Sequence, residues 1–412
     1  MLSCYRVLDL TNEKGFLCGR VLADLGADVI KIERPGGDPS RSIGPFYHDM
    51  GHPEKSLHWF AFNANKKSIT LDIERTDGEE ILKKLVKSAD VLIESFEPGY
   101  MEKQRLGYTV LSQINPMLVM TSISSFGQKG PYKEYKASEI VLWALSGIMY
   151  MVGDPDRPPL LSSYPHAYLF GAMQGAIGTV TALYQREMIG RGQQVDAPAL
   201  MSLVGATGPE VQAPWELFRQ IVKREGRMRL RTGTGVRTPI LWRCKDGDVG
   251  FFLLLGANFF KANTALVEWI KSEGVDSGIM GQMDWKKVGW DEITEDVACE
   301  INAVLTKFFS QHAKQELYEG ALKRGIQIVP ALTAKETREF PQLAVRGYWV
   351  EIEHPELKTA ITYPGGFIRS TEMTCGIRRR APLIGEDNEE IYKKELGLSA
   401  EELIVLKQSG II

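Results

Sequence analysis

The sequence predicts an α/β protein: a Rossmann-like parallel sheet makes a large domain, and a smaller α+β domain is attached to it. Three observations carry this expectation. Short apolar runs rich in β-branched residues alternate with helical stretches through the amino-terminal half, as in a parallel sheet with helices on both faces. Those runs are almost continuously apolar, which suits strands buried on both sides. Past about residue 215 the texture changes to strand, turn, strand and then helices.

In order along the chain, the first strand falls at 7–10, an amphipathic helix at 17–25 and a second strand at 29–32. A strand at 68–73 precedes a helix that starts near Asp77-Gly78-Glu79-Glu80, and further strands fall at 91–93 and 118–123. Two helices follow, at 137–151 and 168–186. In the second, Gly171, Gly175 and Gly178 share one face at i, i+4 and i+7, which lets another backbone come very close. The apolar run 167–184 is short for a membrane span and interrupted by these glycines, so it reads as a buried helix. Residues 223–237 are basic and glycine-containing, as a loop or linker is. Asp246-Gly247 between the apolar runs 240–242 and 249–255 is a hairpin signal. Helices are expected at 258–273, 291–311 and 388–396. The resulting division is 1–214 for the amino-terminal part of the large domain, 215–330 for the small domain, and 331–412 for the return to the large one.

With 412 residues the chain can bury a sizeable core in two domains. A net charge of -3 gives no electrostatic footprint for nucleic acid, and no membrane partner is expected. Cys4, Cys18, Cys244, Cys299 and Cys375 are scattered, with no CxxC pair; this argues for reduced thiols and against a disulfide framework or zinc site. The first six residues lead directly into a strand, so no leader is read and the expected compartment is the cytoplasm. The loop after Leu10, Thr11-Asn12-Glu13-Lys14-Gly15, is not a GxGxxG, which removes the main support for a dinucleotide-dependent dehydrogenase.

A series of motifs recurs in order. It opens with Val7-Leu8-Asp9-Leu10-Thr11 and Ala27-Asp28-Val29-Ile30-Lys31-Ile32-Glu33-Arg34. Lys66-Lys67-Ser68-Ile69-Thr70-Leu71-Asp72, Glu94-Ser95-Phe96-Glu97-Pro98-Gly99 and Ser125-Phe126-Gly127-Gln128-Lys129-Gly130-Pro131-Tyr132 follow. Gly153-Asp154-Pro155, Gly190-Arg191-Gly192-Gln193 and Ala381-Pro382-Leu383-Ile384-Gly385-Glu386 complete it. In this wording the chain resembles the class III CoA-transferases, the family of the formyl-CoA:oxalate and carnitine CoA-transferases. The resemblance implies coenzyme A or an acyl-CoA as substrate, no metal, and an interlocked dimer. It implies coenzyme A contacts at Arg34, Leu71, Ser95, Lys103 and Lys136, with Ser95 standing where some members have asparagine.

The family's chemistry needs a carboxylate. An aspartate attacks the acyl-CoA, the acyl-aspartyl anhydride releases CoA thiolate, and the thiolate returns to give an enzyme-CoA thioester that reacts with the acceptor acid. Here the matching position holds Tyr168, and no Asp or Glu occurs between Arg157 and Arg186. The loop glutamine of other members is matched by Lys14. No catalytic residue is therefore assigned with this resemblance; Lys14, Glu139 and His166 are the candidates near Tyr168. The racemases of this fold use a His and Asp pair, and the matching histidine position is Ser138. The resemblance thus implies the non-nucleophilic subunit of a heteromeric CoA-transferase, partnered by a related subunit that carries the aspartate. The transfer would run between succinyl-CoA and a carboxylic acid such as benzylsuccinate. The alternatives are a homodimer that binds CoA esters without transfer, or a racemase or lyase using His166 or Glu139.

Overall fold

The predicted alternation is realised as a six-stranded parallel sheet, in a computed structural model that describes residues 1–230 and 236–412. The chain runs β1 (Arg6–Leu10), α1 (Phe16–Asp24), β2 (Asp28–Glu33), α2 (Leu57–Asn63), β3 (Lys67–Thr70), α3 (Thr76–Val86) and β4 (Val91–Glu94). It continues through α4 (Tyr100–Lys103), α5 (Tyr108–Ile114), β5 (Val119–Ser124), α6 (Glu139–Ser146), α7 (Ile148–Met151), α8 (His166–Ile189), β6 (Gln194–Pro198) and α9 (Ala199–Phe218). The strand order is β3-β2-β1-β4-β5-β6. The order reverses between β1 and β4, and ligands of such sheets bind outside the carboxyl ends of the strands beside that point.

Next come β7 (Met228–Leu230), β8 (Arg237–Pro239), β9 (Leu241–Cys244), β10 (Gly247–Phe251), α10 (Phe260–Ser272), α11 (Glu295–Ser310), α12 (Lys314–Arg324), β11 (Ile328–Pro330) and α13 (Ala334–Glu339). β9 and β10 form the hairpin expected at Asp246-Gly247, and β11 pairs antiparallel with β10. The last stretch holds α14 (Pro341–Val345), the antiparallel pair β12 (Trp349–His354) and β13 (Thr359–Pro364), a π-helical turn at Glu389–Glu395, and α15 (Ala400–Gln408). Two units result. One comprises Met1–Met149, Leu161–Gln220 and Pro341–Ile412; the other comprises Tyr150–Leu160 and Ile221–Phe340. The excursion Tyr150–Leu160 has no counterpart in the boundaries read from the sequence.

Alternate residues of the central strands explain their unbroken apolar character. Val7, Val29, Val91 and Val119 face one layer, with Leu22 of α1 and Ala176 and Leu183 of α8. Leu8, Ile30, Leu92 and Met120 face the other, with Leu82 and Leu85 of α3 and Tyr392 from the carboxyl-terminal segment. The glycine face of α8 serves the close approach expected of it. A Cβ at Gly171 would stand 3.1 Å from Ala199, one at Gly175 3.1 Å from Ile123, and one at Gly178 2.7 Å from Val195.

Several expected elements are corrected. The strand placed at 68–73 ends at Thr70, because Asp72 N–H leaves the sheet to donate to Ile411 O (2.7 Å). The helix at 137–151 is broken by Gly147, whose φ of 84° lies in the left-handed region. The strand at 249–255 lies instead at Gly247–Phe251, and the helix at 291–311 starts only at Glu295, capped by Thr294. α8 is not buried all round: Phe170, Ile177 and Tyr184 are exposed on it. Of the basic loop expected at 223–237, residues 231–235 lie outside the described residues. Among the described residues, no helix is long and apolar enough to cross a membrane.

A buried ion pair fixes the carboxyl end of β1. Asp9 and Lys66 are both fully buried, and Lys66 Nζ donates to Asp9 Oδ2 (2.8 Å), Asn63 Oδ1 (2.8 Å) and Phe16 O (3.0 Å). Asp9 Oδ1 accepts from Thr11 N–H (2.9 Å) and Thr11 Oγ1 (2.6 Å). Burial alone raises a carboxyl pKa; here Lys66, Lys31 and the Thr11 hydroxyl outweigh it and hold Asp9 below its ordinary value. Asp9→Asn strands the Lys66 ammonium without a counter-charge, and a loss of about 3–5 kcal/mol is expected in denaturant unfolding of the purified protein. Asp9→Leu combined with Lys66→Met removes both charges and should recover most of that loss. A single variant as stable as the parent contradicts this account.

Candidate functional site

Thr11 to Glu13, immediately after the anchored end of β1, line a cavity of about 540 Å³ at the carboxyl ends of β1, β2 and β3. That size suits a small-molecule site. Its walls also include Ile32, Arg34, Leu71, Asp72, Phe96 and Tyr100. The β2 side is held by a second buried pair: Arg41 donates to both Glu33 oxygens (Nε 2.6 Å, Nη2 2.8 Å) and to Pro382 O (3.1 Å). Burial works to raise the Glu33 pKa, but the Arg41 bonds and charge, with Lys31, lower it. Lys31 reaches across to Thr11 O (2.6 Å) and lies 3.7 Å from Asp38. Both loops at the cavity mouth are therefore tied to buried charges.

The sequence-derived contacts do not all converge here. Arg34 and Leu71 line the cavity. Ser95 stands one step behind it: its Oγ accepts from Asn12 N–H (2.8 Å) and donates to Asn12 Oδ1 (2.9 Å). Lys103 and Lys136 are exposed and outside the lining. On α4, Met101 is the buried residue, so Lys103, two positions on, is turned toward solvent.

Two features went unread in the sequence. Phe96 and Tyr100 stack at 4.4 Å between centroids, with Tyr100 Oη donating to Glu74 (2.9 Å); the aromatics flanking Glu97-Pro98-Gly99 were the available signal. The lining is also acidic, with Glu13, Glu33, Asp38, Asp72 and Glu74 against Arg34. Glu33, Asp38 and Asp72 are matched by Arg41, Lys31 and Arg75, so Glu13 and Glu74 remain without a cation among the described residues. Backbone N–H groups and Arg34 are thus what the cavity offers a phosphate.

Lys14, the next residue along the loop, belongs to a second cluster. Its Nζ lies 5.7 Å from the centroid of the Tyr168 ring and 3.5 Å from Glu97. Tyr168 Oη donates to Ala137 O (3.0 Å). Burial raises the phenol pKa, a hydrogen bond with Ser125 and the Lys14 charge oppose that, and the net direction is up. The phenol therefore stays protonated. Glu139 Oε1 accepts from Trp143 Nε1 (2.8 Å) and from Ala167 N–H (2.7 Å), so this carboxylate caps the first turn of α8. His166 lies among Trp143, Tyr164 and Phe170, and its Nδ1 is buried with no hydrogen-bond partner among the described residues. Lys14, Tyr168, Glu139 and His166 do come together, but as a packed helix junction. Among the described residues no group of three His, Cys, Asp or Glu is placed to hold a metal ion.

Glu94, at the end of β4, has its pKa pushed up to about 7 by burial; bonds from Ser122 and Phe96 N–H counter this only in part. A raised carboxyl stabilises the fold fully below its unfolded value near 4.5, and that contribution is lost as pH rises through about 7. Relative to the parent, Glu94→Gln should therefore gain on the order of 3 kcal/mol between pH 4.5 and pH 8 in unfolding measurements. A difference that does not change with pH refutes the assignment.

Comparison with known proteins bears on this geometry. Residues 2–388 match the model of CoA-transferase family III. The chain is 31% identical over 411 residues to the succinyl-CoA:(R)-benzylsuccinate CoA-transferase subunit BbsE of Thauera aromatica, covering 100% of this chain and 98% of that one. It is 30% identical to the formyl-CoA:oxalate CoA-transferase of Streptomyces coelicolor, covering 99% and 98%. The crystal structure of a CAIB/BAIF family protein from Brucella suis superposes with a TM-score of 0.80 at 24% identity, covering 95% and 98%, which supports the fold.

Proposed function

Because the chain belongs to CoA-transferase family III, we propose that it is the non-nucleophilic subunit of a heteromeric enzyme moving CoA between succinyl-CoA and an organic acid such as benzylsuccinate. Tyr168 is the observation that carries this reading. A phenol can accept an acyl group, but it has no carbonyl carbon of its own on which a CoA thioester could form. The nearby groups are differently placed: Glu139 Oε1 is held by Trp143 and the α8 backbone while its Oε2 is buried without a hydrogen-bond partner among the described residues, and Lys14 has no carboxyl group. The aspartate then comes from a related partner subunit, as the subunit designation of the benzylsuccinate relative suggests.

The surface supports such a partner. Phe170, Ile177 and Tyr184 recur every seven residues along α8 and are 40%, 54% and 72% exposed, an apolar stripe fit for another chain. The cavity beside Arg34 is the proposed seat of the CoA nucleotide, with Phe96 and Tyr100 offering an aromatic face to the adenine.

Three experiments test this reading. On incubation of the co-expressed complex with succinyl-CoA and trapping, intact mass should show a CoA adduct on the partner and none on this chain. An adduct on this chain, or a homodimer with full transferase activity, removes the proposal. Tyr168→Phe deletes the hydroxyl's bonds to Ala137 and Ser125, with an expected stability loss of about 0.5–1.5 kcal/mol per bond and turnover of the complex retained; loss of all turnover would make the phenol catalytic. For the cavity, Arg34→Ala should weaken CoA binding by about tenfold in calorimetry of the complex, corresponding to about 1.4 kcal/mol.

A further inference from the structure

The segment from Pro341 onward contains five arginines, and they fall into two groups. Arg379 and Arg380 face carboxylates: Arg379 lies 3.1 Å from Asp387, and Arg380 lies 2.9 Å from both Glu356 and Glu386. Arg346, Arg369 and Arg378 instead line a second cavity of about 240 Å³ whose walls contain no Asp or Glu. None of these three guanidinium groups has an ion-pair partner among the described residues. Arg378 is fixed by carbonyls alone, with Nη2 donating to Ala23 O (2.6 Å) and Nη1 to Asp24 O (3.4 Å) and Gly376 O (3.3 Å). The Ala23 and Asp24 carbonyls end α1, where a cation is favoured but its charge is not cancelled.

The cavity wall is built rather than incidental. Gly366 passes so close to residue 375 that a Cβ there would lie 2.1 Å from Cys375 O, and one at Gly365 would lie 2.5 Å from Tyr348 O. Gly347 and Gly376 take φ of 56° and 139°, values that favour glycine. A Cβ at Gly347 would lie 3.3 Å from Arg369 Nη2, so the Arg369 head abuts the backbone next to Arg346. Three planar cations converging without a carboxylate match the paired oxygens of a phosphate or carboxylate.

From this we infer that the cavity bounded by Arg346, Arg369 and Arg378 is a binding site for a small oxyanion, separate from the cavity beside Arg34. The shared chemistry is two or more anionic oxygens on one group, supplied by a free phosphate or by a dicarboxylate. Calorimetric titration of the purified protein with inorganic phosphate, and separately with succinate, tests this at constant ionic strength set by sodium chloride. The parent is expected to bind at least one of the two at concentrations below about 10 mM, and an Arg346→Gln/Arg369→Gln variant to bind it about tenfold more weakly. Saturation by phosphate alone identifies a phosphate site, by succinate alone a dicarboxylate site, and by both a general dianion site. The unfolding midpoint of the variant without anion is measured alongside. An unchanged affinity in a folded variant, or no binding of either anion to the parent, overturns the inference; should the double variant not fold, Arg369→Lys serves, with the same required loss.

Discussion

The Asp9–Lys66 pair is the constraint on which the site's geometry depends. Two opposite charges taken fully out of water are held because each is also hydrogen-bonded, Asp9 to Thr11 and Lys66 to Asn63 and Phe16. Thr11 and Phe16 bracket the loop 11–15, one at its start and one just past its end. One loop therefore lines the cavity through Asn12 and Glu13 and presents Lys14 to Tyr168. The Glu33–Arg41 pair repeats the device for the loop after β2 and extends it to Pro382, tying the carboxyl-terminal segment to the cavity wall.

That carboxyl-terminal segment is as much a part of the sheet unit as the strands. Asp387 accepts from Ser68 N–H (2.8 Å), Asn388 from Thr70 N–H (2.9 Å), and Tyr392 Oη donates to Thr70 O (2.6 Å). β3 is an edge strand, and these side chains satisfy groups that a neighbouring strand would otherwise take. A return of the chain to the large domain could be read from the motif Ala381 to Glu386. Its role in covering the β3 edge could not, because the contacts span more than three hundred residues.

Tyr168 illustrates a different division. Its identity, and the lack of any acidic residue between Arg157 and Arg186, stand in the sequence. Its surroundings do not: the Ala137 carbonyl, the Lys14 ammonium and the Glu139 cap arrive from two separate segments. The arrangement leaves a neutral phenol acting as a donor inside a helix junction. Likewise, the glycines of α8 announced a close approach, while the strand residues Ile123 and Val195 that fill it came only with the fold.

By itself the sequence determined the parallel sheet, the β9–β10 hairpin and the family, because each rests on local periodicity, turn chemistry or an ordered series of motifs. It also placed Arg34 and Leu71, which directly follow strands and so inherit their position from the sheet. Only the tertiary structure decided that Lys103 and Lys136 stand outside the cavity lining, that Glu13 and Glu74 of the lining have no cationic partner among the described residues, and that Arg346, Arg369 and Arg378 converge. Those outcomes depend on which way a side chain turns and on what distant segments bring beside it. Neither is encoded in spacing along the chain, since burial and charge pairing are settled only when all the segments pack.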